Sequence, residues 1–174
     1  MNEDTAIRPA IYRELEITRL AYHKLLATLT DADWDRPTPN PHHTIGALMA
    51  HLADDVGNIR YLAAGARRGW GCNPPDWLFR RFNPWRVRWG IRQATRQTVA
   101  ATYDRGHAAL CRDLARVQPA DWGKATTILG RHVTVADAFR LPVKHFAQHQ
   151  ADILHGSARS PDATPKSVSR IRGP

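Results

Sequence analysis

The sequence predicts an all-α fold, a four-helix bundle with a short β-hairpin, and two observations carry this prediction. Apolar residues recur at steps of three and four in four segments of about twenty residues, which is the period of a helix with one buried face. Each such face needs a partner to bury it, and four helices of similar length bury one another in a bundle. The 174 residues suffice for one domain and are too few for two large domains.

The first two predicted helices occupy residues 8–30 and 44–66. Three prolines between positions 37 and 41 favour an extended linker, because proline fixes its own φ and restricts the residue before it. The second helix begins after Thr44, whose hydroxyl can accept a hydrogen bond from a free backbone N–H of the first turn.

The third and fourth predicted helices occupy residues from about 90 to 117 and 134–155. Between them, two short β-prone stretches flank Gly130-Arg131, which predicts a hairpin that turns at this pair. Pro142 lies inside the fourth helix and removes one of its backbone hydrogen bonds, so we expect a kink there.

The predicted bundle domain covers residues 1–156 and leaves two segments outside its helical pattern. Residues 67–89, between the second and third helices, contain four tryptophans among glycines and prolines and are expected to form a long irregular crossover. Residues 157–174 are basic and poor in large apolar side chains, which predicts a disordered tail.

The composition favours a cytoplasmic protein. No run approaches the ~18 apolar residues that a membrane span needs. The chain begins with the acidic stretch Met1-Asn2-Glu3-Asp4 and no apolar segment follows it, so we expect no signal peptide. Two cysteines are too few for a disulfide framework.

Three histidines are candidate metal ligands. His145 and His149 are four residues apart on the fourth predicted helix, so their rings share one face, and His51 on the second helix could complete the set. Three imidazoles suit zinc, nickel, cobalt or iron and leave coordination positions for water or substrate. The alternative is that these are half-buried packing residues, since pairs at this spacing also arise by chance, as His107 and Cys111 illustrate.

Two acids stand close to these histidines in sequence. Asp55 lies one turn after His51, and Asp152 lies three residues after His149, so either could orient an imidazole or accept a proton from metal-bound water. The alternative is that both are solvated surface acids. Phe146 stands where a zinc-protease motif requires a glutamate, so that mechanism fits poorly and any base would have to come from elsewhere.

The segment 67–96 concentrates positive charge and tryptophan. It could bind an anionic substrate or thiol cofactor, nucleic acid, or an anionic membrane surface. Arginine forms bidentate hydrogen bonds with phosphate and carboxylate, and tryptophan stacks on bases or lies at a lipid interface. The alternative is a solvated basic face whose tryptophans cover one end of the bundle. Against a single acid, Asp76, the segment contains eight arginines: Arg67, Arg68, Arg80, Arg81, Arg86, Arg88, Arg92 and Arg96.

Two stretches resemble the signatures of a known family. Residues 44–52 read TIGALMAHL and resemble the second-helix run [Ser/Thr]-[Val/Ile]-Gly-x-Leu-x-x-His-Leu of the DinB-like superfamily. Residues 133–139, followed by His145-x-x-x-His149, are similar to that family's hairpin and fourth helix. The resemblance extends from about residue 8 to 156.

The resemblance implies a four-helix bundle with a metal site formed by His51, His145 and His149. Related families include mycothiol-dependent maleylpyruvate isomerases and low-molecular-weight-thiol S-transferases, and members are often homodimers. The sequence departs from the family pattern at His43, where a tryptophan often stands, and in its long basic crossover 67–89. Substrate specificity therefore cannot be carried over from the family.

Three hypotheses follow. The first is an enzyme in which a divalent ion, zinc or nickel by preference, activates water or a small thiol, as in a hydrolase or a thiol S-transferase. Its substrate would be a small molecule, for which an anion is one option, and the resemblance adds a low-molecular-weight thiol as a cofactor. The second is a non-catalytic bundle that binds nucleic acid or a protein partner through residues 67–96. The third is a structural bundle with packing histidines.

Overall fold

The computed structural model describes residues 3–39, 43–71, 94–128 and 130–158, and it confirms the all-α prediction with its hairpin. Within these ranges, no helix combines the length and apolarity needed to cross a bilayer. In chain order, the elements are α1 (Glu3–Thr28), α2 (Asp31–Trp34), α3 (Ile45–Arg68), α4 (Arg96–Ala115), a 3-10 turn (Pro119–Asp121), β1 (Ala125–Ile128), β2 (Arg131–Thr134) and α5 (Val135–Ala158).

The four long helices close into a bundle because α1 and α3 each pack against both α4 and α5. The apolar stripes of all four meet in one core, as the 3.6-residue period predicts. The largest fully buried side chains are Tyr22, Tyr103, Phe139, Ile11, Leu15, Ile45, Leu48, Met49, Leu110, Leu114 and Ile153.

The C-terminal end of α1 and the N-terminal ends of α3 and α4 lie together at one end of the bundle. The Tyr22 hydroxyl donates to the Met49 carbonyl over 3.0 Å and thereby ties α1 to the first turns of α3. The Arg96 guanidinium donates to the Leu26 carbonyl over 3.2 Å and ties α1 to the start of α4. The ring of Phe146, from α5, lies 6.4 Å from that of Tyr22. The candidate site lies at this end.

Two glycines let α3 and α4 approach closely. A Cβ built on Gly106 would lie 2.7 Å from the backbone nitrogen of Gly57 and 3.3 Å from the carbonyl carbon of Val56. These distances leave no room for a side chain at position 106. The crossing therefore fixes α3 against α4 within two turns of His51.

A third glycine seats the short helix α2 on α3. A Cβ on Gly46 would lie 2.5 to 2.7 Å from three adjacent atoms of the Trp34 five-membered ring, so the indole rests on the bare backbone. The Trp34 N–H donates to the Ala94 carbonyl over 3.2 Å. Thr44 caps α3 as predicted, since its hydroxyl accepts from the backbone N–H of Ala47.

The helix bounds differ from the predicted ones mainly at the ends. Helix α1 begins at Glu3 rather than residue 8, and α4 begins at Arg96 rather than near 90, after its Thr95 cap. Helix α5 continues to Ala158, past the predicted start of the tail at residue 157. Most of the predicted crossover and the rest of the tail lie outside the described residues.

Helix α2 was not predicted from the sequence. Its single turn is fixed by Thr30, whose backbone N–H and hydroxyl both donate to the Asp33 carboxylate, over 2.9 and 2.7 Å. This is a capping pattern with aspartate in place of the usual glutamate, and one turn is too short to show an apolar period. The predicted extended linker therefore starts later, and Pro37 forms a single antiparallel bridge with Thr44.

The hairpin forms, but Gly130-Arg131 is not its turn. Ile128 pairs with Arg131, so Arg131 is the first residue of β2 rather than part of the connection. Gly130 has a φ of 74°, a left-handed conformation that glycine adopts without steric cost. Further along, α5 runs from Val135 to Ala158 and includes Pro142, and the expected kink at this proline stays a prediction.

Asp121 anchors the chain just before the hairpin. Its carboxylate pairs with Lys124 at 2.7 Å and with Arg67 of α3 at 2.9 Å, and it accepts from the Gln118 backbone N–H at 3.1 Å. The Lys124 ammonium is the main cause that lowers the pKa of the Asp121 carboxyl to about 2. The charged carboxylate is therefore part of what stabilises the fold.

We expect this contribution to disappear in acid. The pKa of Asp121 is lower in the folded chain than its ordinary value near 4, so its contribution is complete above about pH 5 and is lost as the pH falls through about 2. Because the Lys124 side chain is half exposed, we expect Asp121→Asn to lower the free energy of unfolding by only about 1–2 kcal/mol at pH 7. Urea unfolding should show this difference shrink between pH 5 and pH 2.5. A difference that stays constant over that range would contradict the assignment.

Candidate metal centre

Three imidazoles from two helices converge at one end of the bundle. His51 comes from α3, while His145 and His149 come from successive turns of α5. One nitrogen from each ring lies within 4.8 Å of the other two, and the Nε2 atoms of His145 and His149 are 3.1 Å apart. The structure thus brings together all three histidines that the sequence singled out.

The arrangement of the rings fits a shared ion. Their planes are inclined to one another by 65° to 85°, and their centroids lie 4.7 to 5.7 Å apart, so the rings meet at their edges and do not stack. Two nitrogens bound to one zinc at about 2.0–2.1 Å, at angles of roughly 90–110°, lie roughly 3.0–3.4 Å apart. The 3.1 Å separation falls in this range, and it also suits an imidazole–imidazole hydrogen bond without an ion. This group could therefore hold a metal ion.

Two carboxylates contact the outer sides of the imidazoles. Asp55 Oδ2 lies 3.3 Å from His145 Nδ1 and 3.4 Å from His51 Nε2, so one carboxylate faces rings from both helices. Asp152 Oδ2 lies 3.4 Å from His149 Nδ1. On α5, both histidines thus turn Nδ1 toward a carboxylate and Nε2 toward each other. Metal-binding histidines characteristically have this arrangement.

The two acids differ in exposure. The Asp55 side chain is 17% exposed, between α3 and α5, which distinguishes it from a solvated surface acid. The Asp152 side chain is 38% exposed and lies on the solvent side of His149. The imidazole side chains are 13% to 25% exposed, so the cluster lies at the rim of the bundle and a small molecule can approach it from solvent.

The inner side of the cluster is closed by apolar packing. Asp55 and His145 border a void with no room for a water molecule, so this side of the cluster is closed to solvent. Pro142 and Tyr103 belong to this wall, and neither was predicted to be part of the site. Only the packing of α4 brings Tyr103 there, whereas Pro142 could have been noticed one turn before His145. The apolar side of the void consists of Leu52, Val56, Ile59, Tyr103, Pro142 and Phe146.

Among the described residues, the other pair at metal-ligand spacing does not form a mutually close group of three ligand atoms. Cys111 Sγ lies 3.7 Å from His107 Nε2, and Glu16 approaches that ring at 3.7 Å. In the described parts of the chain, only the His51 cluster brings three ligand groups together. Burial raises the pKa of the Cys111 thiol and lowers that of His107, so the thiol stays protonated and is a poor nucleophile.

The described arginines of the segment 67–96 all make contacts within the chain. Arg67 pairs with Asp121 at 2.9 Å, Arg96 donates to the Leu26 carbonyl, and the Arg68 guanidinium lies 5.5 Å from the centre of the exposed Trp70 ring. The other five arginines and Cys72 lie outside the described residues.

Comparison with known proteins identifies one family. The family model of the DinB superfamily matches residues 14–153, which include α3, the hairpin and all three histidines. No significant match was found among curated proteins or among solved structures.

Proposed function

The chain belongs to the DinB superfamily, and from this membership and the geometry of its three imidazoles we propose that it is a divalent-metal-dependent enzyme. In this proposal His51, His145 and His149 bind the ion, with zinc or nickel as the metal. The convergence of three imidazole nitrogens within 4.8 Å is the observation that carries the proposal. Imidazole is a good ligand for both metals, and three protein ligands leave positions open for water or substrate.

The two carboxylates have different roles in this proposal. Asp55 faces one ring of each helix, so it fixes the mutual orientation of His51 and His145. Asp152 contacts the Nδ1 side of His149, so in this proposal it orients that ring, and as the more exposed of the two acids it is also our candidate for the group that takes up a proton at the rim. A divalent ion at the imidazoles would supply a Lewis acid that lowers the pKa of a bound water or thiol.

The reaction is hydrolysis or the transfer of a small thiol to an electrophile. Both need a nucleophile that is deprotonated at neutral pH, and the Cys111 thiol, whose pKa burial raises, does not provide one. We propose a small-molecule substrate, because the three imidazole side chains are only 13% to 25% exposed. The role of a low-molecular-weight thiol is supported by the likeness to thiol-dependent families.

An activity screen tests the catalytic part of the proposal. Protein loaded with zinc or nickel would be assayed with nitrophenyl esters, and with an aryl halide together with cysteine or other small thiols. We expect a rate that rises with metal loading and falls by at least about 100-fold in Asp152→Asn if this carboxylate is the general base. A loaded protein with no metal-dependent rate in either assay would count against catalysis while leaving the metal site intact.

Asp55→Asn tests the positioning role. We expect the affinity for zinc or nickel to fall by about 10- to 100-fold, the usual cost of losing a carboxylate that orients a metal-binding histidine. Asp54→Asn is the matched control, because Asp54 is the neighbouring residue on α3, is exposed and accepts from the Asn58 amide at 2.9 Å instead. Competition with a chromophoric chelator measures both affinities. Equal affinities in the two variants would show that Asp55 does not position the ligands.

The second candidate function is binding of nucleic acid or a protein partner through residues 67–96. The observation in its favour is the exposed Trp70, 68% accessible and paired with Arg68, at the C-terminal end of α3. Binding of single-stranded nucleic acid by such a surface would weaken steeply with salt. A titration with a labelled oligonucleotide at low and high salt distinguishes it, and no binding at low salt would exclude nucleic acid as the partner.

A further inference from the structure

A second cavity lies on another side of the bundle, between α1, α2 and the start of α4. It has a volume of about 720 Å³, within the range typical of small-molecule sites. None of its lining residues belongs to the histidine cluster or its two carboxylates. His23 lines this cavity. The next residue, Tyr22, points into the core, where its ring stacks on Tyr103 at 4.0 Å and lies near Phe146 of α5. Core packing therefore separates the cavity from the histidine cluster.

The wall of this cleft is pre-formed by Trp34. Its ring rests on Gly46, and its N–H is held by the Ala94 carbonyl, so the indole is fixed from two sides. Leu26, Ala27 and Ala100 add apolar surface. A flat apolar group could therefore bind without ordering the wall first, which lowers the entropic cost of binding.

Among the described residues, the lining of the cleft carries more acidic than basic side chains, although the net charge of the chain is positive. These lining residues include the exposed carboxylates Asp31 and Asp35, the guanidinium of Arg96 and the imidazole of His23. Arg96 donates to the Leu26 carbonyl and lies 3.8 Å from Asp31, so it offsets part of the charge of Asp31 but does not pair with Asp35. Among the described residues, no ion pair involves Asp35, although the net charge of the chain is +9.

We propose that this cleft binds a small organic cation with a flat apolar body. The apolar body would lie against Leu26, Ala27 and Ala100, and the cationic group would be held by the carboxylates of Asp31 and Asp35 and by the Trp34 ring. Cations bind favourably over the face of tryptophan, and acidic neighbours add to that attraction. This inference is independent of the proposed metal chemistry, because it uses none of its residues.

Titration of the full chain with benzyltrimethylammonium tests the inference. The indole N–H signals in a ¹H–¹⁵N spectrum report on each tryptophan, and Trp34→Phe identifies the signal of Trp34. We expect a saturable shift of this signal, accompanied by the backbone signals of residues 95–100. Benzenesulfonate and benzyl alcohol, which resemble the probe in size but are anionic and neutral, should bind more weakly.

Two variants separate charge from shape. The double change Asp31→Asn with Asp35→Asn should weaken binding by about fivefold for each carboxylate, the value of one unit charge at about 4 Å in water. Asp54→Asn, on α3 and outside the cleft, is the control and should have no effect. Gly46→Ala displaces the Trp34 ring and should also weaken binding, with the metal content unchanged.

The inference would be overturned by any of three results. These are no saturable shift at Trp34, equal binding of the anionic or neutral probe, and unchanged affinity in the double aspartate variant. Because Asp31 and Asp35 are exposed, their replacement leaves the core intact, and the test does not depend on whether Gly46→Ala folds.

Discussion

His149→Ala is expected to lower the affinity for zinc or nickel by more than about 100-fold. Loss of a group that only orients a ligand already costs about 10- to 100-fold, and this change removes a ligand itself. His149 is also the partner of His145 at 3.1 Å, so its loss leaves two imidazoles on different helices, too few to hold a divalent ion tightly. Competition with a chromophoric chelator, using protein prepared without a nickel column, measures the effect.

His155→Ala is the matched control for this change. His155 lies on the same helix, is exposed, and has Nδ1 2.6 Å from the Ala151 carbonyl, away from the cluster. It should bind the ion as tightly as the unaltered chain. If both histidine variants lost affinity equally, the ion would be bound by surface histidines in general, and the cluster would be a packing feature.

Gly106→Ala is expected to destabilise the bundle by about 2–3 kcal/mol, at the upper end of the usual cost of overpacking. The new Cβ would lie 2.7 Å from the Gly57 nitrogen and 3.3 Å from the Val56 carbonyl carbon. Both are backbone atoms of α3, so no side chain can rotate away to make room and the helices must separate. The free energy of unfolding, from urea denaturation followed by circular dichroism, measures the effect.

Gly57→Ala is the control from the same crossing. A Cβ on Gly57 would have Gly106 Cα at 3.7 Å as its nearest neighbour, an ordinary contact. This change should be neutral or stabilising by up to about 1 kcal/mol, since alanine is the better helix former. Equal destabilisation by the two substitutions would mean that α3 and α4 do not cross at these glycines.

The bundle was predictable because its signal is distributed over many residues. Each long helix carries its apolar period over about twenty positions, so errors at single positions do not change the result. The wrong predictions concern features that only a few residues determine, such as short turns and helix ends. The turn Asp31–Trp34 is too short for a period, and the hairpin turn includes Gly130, whose left-handed conformation is a property of one residue. Helix ends depend on single capping residues such as Thr95, so the observed ends differ from the predicted ones by several residues.

The site was predictable only in part. The spacing of His145 and His149 places both on one face of any helix, whereas adding His51 required either a tertiary contact or the likeness to the family. The bridging position of Asp55 depends on how α3 and α5 are rotated against each other, which no local pattern encodes. The cleft beside Trp34 was not predicted for the same reason, since it arises where Gly46 admits the indole.

The metal content of the purified chain tests the central claim most directly. Protein prepared without a nickel column would be dialysed against zinc or nickel, freed of excess ion and examined by elemental analysis. The three converging imidazoles predict about one ion per chain, and much less than one in His149→Ala. A folded, unaltered chain that retains no ion, or the same amount as that variant, would contradict the account.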